Sequence, residues 1–303
     1  MIVRDEEPRL AECLHSIKPY VSEMVVVDTG SKDRTREVAL GCGARVFEMT
    51  WSDSFAEARN ESIRHARGRW ILWLDADDVL PPECGTKLGE LLRRFPNVDA
   101  AFTVPVHIPP GPGEFTVSVV DHVKVFPNRP DLRFEHRIHE QILPAIREAG
   151  IPVYESGLHV VHKNYDRSDA GQAKKRARDF RLLTLDLHDR PNHAFVLFNL
   201  GMTYLYAAKE YEVAAQYLER CLANSNPEAS IVHKAYAMWT SALMAQLEWE
   251  EALRVNEKGR SFYPDDPELL LQAGQLYQQV GRFAQWRASP IRRYRRANSF
   301  RPR

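Results

Sequence analysis

The chain of 303 residues is 44% hydrophobic and formally neutral, with 41 Lys and Arg against 41 Asp and Glu. This composition permits one large core or two smaller ones, and it lacks the chain-wide basic excess of a nucleic-acid binder. No charged segment with a following apolar stretch opens the chain, and the longest apolar runs fall far short of a membrane span. Cys13, Cys42, Cys84 and Cys221 lie far apart without a C-x-x-C pair, which argues against a zinc ribbon or disulfide scaffold and for reduced, mostly buried thiols. The expectation is a two-part cytoplasmic protein, with peripheral contact to the inner face of the membrane left open.

Glu23 to Asp28 is a short β-branched run ending in an acid, followed by Thr29, Gly30 and Ser31 and then by helical spacing through Val38 and Ala39. This predicts strand, turn and helix, with Asp28 at the strand's C-terminal end. Such an Asp either accepts hydrogen bonds from a nucleobase N–H or ribose hydroxyls, or makes an Asx-turn or helix cap. Trp70 to Leu74 is an apolar run bounded by charge, which predicts a buried parallel strand delivering Asp75 and Asp77, then Asp78, at its C-terminal edge. Open α/β sheets bind ligands there. Two carboxylates one residue apart repel unless a cation sits between them, and Mg²⁺ or Mn²⁺ completed by phosphate oxygens resolves the conflict. A metal-diphosphate site is the hypothesis; a solvated loop is the alternative.

Residues 105 to 113 hold four prolines and two glycines, either a plain connection or a flap near an acceptor. Beyond it, Arg137 and Glu140 are spaced for an ion pair on a turn, worth little if exposed. Lys124, Arg129 and Arg133 either neutralise phosphate or are solvated surface cations. Ala170 to His188 has helical spacing through Ala173, Ala177, Phe180, Leu183 and Leu187, with Lys174, Lys175, Arg176 and Arg178 expected to face solvent.

Leu197, Leu200, Gly201, Tyr204, Ala214 and Leu218 then resemble the tetratricopeptide pattern, with one extra residue before Tyr211. A second copy runs through Trp239, Leu243, Trp249, Ala252 and Pro264, and a third through Leu270, Gly274, Tyr277, Gly281 and Phe283; these two are in phase at the roughly 34-residue period. The resemblance implies stacked helix pairs in which Gly201, Gly274 and Ala252 mark close approach, a packing role. Residues 282 to 303 carry eight arginines and no acid, either a solvated tail or a contact for anionic lipid or nucleic acid.

Several blocks occur in an order that resembles family 2 glycosyltransferases. They are Met1 to Glu7, Cys13 to Ile17, Val25 to Thr35, Trp51 to Asn60 and Trp70 to Asp78, then Arg133 to Ile142 and His162 to Tyr165. The later blocks resemble the bacterial branch that carries helical repeats. The resemblance implies a GT-A fold, a nucleotide-sugar donor and Mn²⁺ or Mg²⁺. It places Asp28 against the nucleobase, Arg59 near the nucleotide, Asp75 and Asp77 at metal and ribose with Asp77 the direct ligand, and His162 reaching back to metal or diphosphate, with His159 as a rival. Inverting transfer needs a base for the acceptor proton, and Glu140 is assigned that role with His139 as orienting neighbour or phosphate contact. One departure is that family members carry β-forming residues before the segment matching Met1, so the first strand is expected to be short.

The expected architecture is α/β: a GT-A domain over residues 1–168, a connecting helix over 169–192, tetratricopeptide-like repeats over 193–286 and a basic tail over 287–303. The expected activity is metal-dependent, inverting hexosyl transfer from a UDP sugar to a peptide, polysaccharide or lipid-linked glycan. The repeats would recruit the acceptor, bind a protein partner or self-associate, and no nucleic acid is expected. The rival is a degenerate glycosyltransferase-like scaffold whose repeats do the binding. Asp28, Asp75, Asp77 and Glu140 favour the enzyme.

Overall fold

The computed structural model describes residues 1–111, 115–163 and 168–282. Pro112 and Gly113 of the proline-rich loop, Asn164 and Tyr165, Phe283 and the basic tail lie outside the described residues. The chain divides into two compact units, Met1–Ala173 and Lys174 onward.

In the first unit the β-branched runs form β1 (Ile2–Val3), β2 (Val25–Asp28) and β3 (Arg45–Glu48), joined through α1 (Leu10–Ile17) and α2 (Thr35–Gly41). These strands are parallel in the order β1-β2-β3, with Val3 opposite Asp28. The acid end of β2 therefore sits at the C-terminal edge of the sheet. Next come α3 (Phe55–Arg64), β4 (Trp70–Leu72), β5 (Asp78–Val79) and α4 (Pro82–Arg93), followed by β6 (Ala101–Ile108), β7 (Ser118–Pro127), α5 (Leu143–Glu148), β8 (Val153–Glu155) and β9 (Val160–His162). The second sheet has the order β4-β7-β6-β9-β5, with β8 on β6.

The structure corrects one expectation. The run Trp70 to Leu74 does not join a parallel neighbour: β4 pairs antiparallel with β7, Ile71 opposite Phe126. A strand buried on both faces loses its polar alternation whichever way its neighbour runs, so periodicity carries no direction. The strand still delivers Asp75 beyond its C-terminal end, where Cys13 Sγ on α1 meets the Asp75 carbonyl at 3.3 Å. The first strand is two residues long, and a cavity of about 250 Å³ lined by Met1, Val25, Arg59, Trp70 and Leu72 lies beside it.

Two apolar cores hold this unit. Leu10, Leu14, Val26, Leu74, Phe102, Val125 and Val160 pack one, around the first helix and both sheets. Phe126, Leu132, Phe134, Ile142 and Ile146 pack the other, on either side of the loop that carries His139 and Glu140.

The second unit begins within α6 (Asp169–Asp189), which leads into the pairs α7 (Ala194–Thr203) with α8 (Tyr211–Ala223) and α9 (Val232–Ala245) with α10 (Trp249–Phe262), then α11 (Pro267–Gln279). The extra residue before Tyr211 has a structural counterpart: Tyr204–Ala208 is a π-helical turn closed by Lys209 at φ 59°. A π-turn takes one more residue than an α-turn and absorbs an insertion without unwinding the helix. Gly201 is a close-approach point, because a Cβ there would lie 2.6 Å from Leu218 Cγ. Gly259, which the repeat pattern does not single out, is another, 2.9 Å from Tyr236 Cβ on the same test. Buried amides pin the last helices: Asn256 Nδ2 donates to the Leu269 carbonyl at 2.9 Å and Gln272 Nε2 to the Ala237 carbonyl at 2.9 Å.

Gly201→Ala should overpack α7 against α8 and destabilise the helical unit by about 1–3 kcal/mol. The measurement is the urea midpoint of the helical signal; an unchanged midpoint would show that Leu218 yields freely.

Candidate active site

The two oxygens of Asp28 differ in their surroundings. Oδ1 accepts from the Gly30 and Ser31 amides, each at 2.9 Å, an Asx-turn that requires the left-handed φ of +106° at Gly30. Oδ2 has no hydrogen-bond partner although the residue is 2% exposed. A buried carboxylate oxygen without a donor is costly, and it marks a place where a ligand N–H or O–H fits.

In the segment that follows β4, Asp75, Asp77 and Asp78 converge with His162 from β9. Register does this: Asp78 on β5 lies directly opposite His162. His162 Nδ1 lies 3.0 Å from Asp78 Oδ1 and 3.4 Å from Asp77 Oδ1. Asp77, Asp78 and His162 each bring a ligand atom within 4.8 Å of the others, a spacing that suits one cation. His159 goes elsewhere, stacking on His107 at 4.5 Å with Nδ1 3.4 Å from Cys84 Sγ.

The charges in this cluster are not equally compensated. Burial opposes ionisation of Asp75, but Arg59 and Lys124 outweigh it and hold the carboxyl well below the usual range. Burial also opposes ionisation of Asp78, yet its bond to His162 and the Lys124 charge pull its pKa down. At Asp77 burial wins: its pKa is raised, with Asp75 and Asp78 adding to the effect against His162. The Asp78 hydrogen bond raises the pKa of His162. Asp77 is thus the carboxylate that a bound cation would relieve most.

Arg59 ties this cluster to Glu140. It projects from α3, which begins with Ser54 Oγ accepting from the Glu57 amide at 3.1 Å. Arg59 Nη2 donates to Asp75 Oδ1 at 2.8 Å and Nε to Glu140 Oε1 at 2.5 Å, while Nη1 has no hydrogen-bond partner. The guanidinium carbon lies 4.1 Å from the Trp73 ring centroid. Burial works against the Arg59 charge, and Glu140 and Asp75 outweigh it, raising its pKa. Arg59 therefore reaches both the acidic cluster and the candidate base. Arg137 instead donates towards the Ser52 and Asp53 carbonyls.

The loop carrying Glu140 is tightly built. Glu135 and Gln141 exchange backbone hydrogen bonds, both 3.0 Å, and His136 and His139 adopt φ of 71° and 55°. The Asn60 side chain on α3 bonds both Phe134 N and O, at 2.8 and 2.9 Å, and Phe55 N donates to the Arg137 carbonyl at 2.8 Å. Left-handed non-glycine residues cost conformational energy, and α3 holds them in place.

Sequence reasoning missed Trp73, and it left Lys124 as a surface or phosphate cation. Lys124 is 1% exposed and bonds Asp78 Oδ2 at 2.8 Å. The available signal was its position inside the apolar run Val123 to Phe126, where a lone lysine needs a partner. Arg129 pairs with Asp99 and Asp131 at 2.9 and 2.6 Å, away from the cluster.

Comparison with known proteins bears on this site. Residues 1–166 match the family described as glycosyl transferase family 2. A TPR repeat-containing protein of Synechococcus elongatus is 34% identical over 238 residues, covering 76% of this chain and 57% of that protein. The SPbeta prophage-derived glycosyltransferase SunS of Bacillus subtilis is 27% identical over 229 residues, covering 74% of this chain and 52% of its own. The chain therefore spans little more than half the length of either relative. A crystal structure of S. aureus TarS in complex with UDP-GlcNAc superposes with a TM-score of 0.47 at 15% identity, covering 99% of this chain and 91% of that one. The family match spans more than half of the chain, and the chain belongs to glycosyl transferase family 2, with a GT-A glycosyltransferase unit followed by helix pairs of tetratricopeptide type.

Proposed function

We propose that the N-terminal unit transfers a hexosyl group from a UDP sugar to an acceptor, with inversion and with Mn²⁺ or Mg²⁺ at the donor diphosphate. The observation that carries the donor assignment is the free, buried Oδ2 of Asp28 at the C-terminal end of β2. A carboxylate oxygen short of a donor fits a base whose edge presents an N–H; the uracil imide is one.

Asp77, Asp75 and His162 are the residues that would hold the cation. When bound, it neutralises charge on the leaving diphosphate. Glu140 takes the acceptor proton as the acceptor atom bonds to the anomeric carbon, while the bond from that carbon to the diphosphate oxygen breaks and its electron pair leaves with the nucleotide. Arg59 holds Glu140 Oε1 at 2.5 Å, which orients the carboxylate and leaves Oε2 as the oxygen to be protonated. Its contact with Asp75 sets the base at a fixed place relative to the metal-binding edge. The His139 carbonyl accepts from Gln141 Nε2 at 2.8 Å, a bond that supports the turn presenting Glu140.

The helical unit presents no comparable group of metal-ligating side chains among the described residues. Its role in this reading is to recruit a peptide, polysaccharide or lipid-linked glycan acceptor, since stacked helix pairs suit extended partners.

Three measurements test the reading. Asp77→Asn should abolish Mn²⁺-dependent UDP binding in a folded protein; equal UDP affinity in native and variant at the same metal concentration would remove Asp77 from the site. Glu140→Gln should lower turnover by about a hundredfold or more with donor KM nearly unchanged, and comparable turnover would move the base elsewhere. A chain ending at Arg190 should keep slow donor hydrolysis and lose efficient transfer to the native acceptor. Full transfer by that folded truncation would overturn the recruiting role.

A further inference from the structure

Lys124 is a buried charged group that the reaction above does not use. It is among the most buried side chains of the first unit, at 1% exposure, and its Nζ lies 2.8 Å from Asp78 Oδ2 and 3.8 Å from the Trp73 ring centroid. Asp78 is fully buried. Its Oδ2 also accepts from the Asp75 amide at 3.1 Å, and its Oδ1 meets His162 Nδ1 at 3.0 Å. Three partners therefore already surround this carboxylate.

That saturation matters because of where Asp78 sits. Its ligand atom is within 4.8 Å of those of Asp77 and His162, so an unpaired Asp78 would complete a three-ligand cage able to bind a divalent cation without any nucleotide. An ammonium bonded to the carboxylate answers its charge from the other oxygen and repels a cation beside it. With Asp78 withheld, the protein offers few charged ligands. A small hard cation bound by one or two carboxylates depends on substrate phosphates to fill its shell.

We propose, resting on the metal-dependent reading above, that Lys124 is a positioning residue that withholds Asp78 from the cation, so that the site holds the metal tightly once the donor diphosphate is present. The nucleotide sugar and its cation then bind as a unit. Metal alone does not occupy the edge, and a metal-loaded enzyme without donor does not accumulate.

The test is Mn²⁺ titration of the full chain with and without UDP, read as free Mn²⁺ by electron paramagnetic resonance, with thermal melting to confirm folding. Lys124→Met removes the charge and keeps an unbranched side chain of similar length. It should bind Mn²⁺ without UDP about tenfold or more tightly than the native protein, because one carboxylate charge has been released beside the ion, and the further gain on adding UDP should shrink. A loss of packing alone does not raise metal affinity. Removing one partner of a buried pair can unfold a protein, so the double variant Lys124→Met with Asp78→Asn is made as well. It should keep the native pattern, weak binding of Mn²⁺ alone and tight binding with UDP.

A folded Lys124→Met protein that binds free Mn²⁺ no more tightly than the native one overturns the proposal. So does a folded double variant that has lost UDP-dependent Mn²⁺ binding, since Asp78 would then be a ligand. If the native protein binds UDP equally with and without Mn²⁺, the metal-dependent reading fails and this inference falls with it. The first two outcomes leave that reading intact.

Discussion

The site depends on one guanidinium. Arg59 is 6% exposed and bridges Asp75 and Glu140, partners 16 and 81 residues away in sequence. Without it, two carboxylates would sit in a largely buried edge beside Asp77 and Asp78. Burying a cation is costly unless its hydrogen bonds and charge are answered, and breaking such a pair leaves an uncompensated charge behind. Arg59 thereby fixes three pieces of chain to one another: the end of β4, the helix α3 and the turn that presents Glu140. Trp73 extends the arrangement, with Arg59 and Lys124 lying 4.1 and 3.8 Å from its ring centroid and its indole N–H bonded to the Val123 carbonyl at 2.8 Å. An aromatic ring offers both cations an electrostatic partner that adds no further negative charge to a crowded edge.

Much of this was legible in the chain, and the parts that were not share a physical cause. Asp28, Asp75 and Asp77 could be placed because a strand ending in an acid is a local signal, carried by adjacent residues. The helix pairs were legible for the same reason, and even the surplus residue before Tyr211 has its mark in the π-turn at Tyr204–Ala208. The direction of β4 was not, because pairing with β7 is decided by a segment some fifty residues on, Ile71 opposite Phe126. The partner of Glu140 was misjudged on the residues alone for a similar reason. Arg137 is the near cation in sequence, whereas Arg59 reaches Glu140 through the fold. Burial of Lys124 follows from β7 lying beside β4, so it became visible with that pairing.

Both units bury polar groups, and the cluster of paired ions lies in the first. In the helical unit the buried groups include two neutral amides, Asn256 and Gln272, whose bonds to the Leu269 and Ala237 carbonyls fix the register of α9, α10 and α11, and Asp186 on α6 is buried as well. Neutral pairs specify packing without carrying a field. In the first unit the buried groups include the paired ions Arg59, Lys124 and Asp78, gathered around the residues that follow β4. A fold that needed packing alone would gain by replacing such ions with hydrophobic side chains. Their concentration at the strand ends is the mark of a site built to meet charge.

That edge is unfinished. Asp75 has Arg59, Asp78 has Lys124 and His162, and Glu140 shares Arg59. Asp77 has the weaker approach of His162 at 3.4 Å, and burial raises its pKa. Asp28 Oδ2 and Arg59 Nη1 are buried without partners. An acceptor short of a donor, a donor short of an acceptor and a carboxylate short of a cation all lie in the same unit of the fold. Each lowers the stability of the free protein, and a ligand that satisfies them binds the native state and stabilises it by mass action. A nucleoside diphosphate with its cation carries an N–H, phosphate oxygens and a positive ion in one molecule, which is the set of complements that these residues lack.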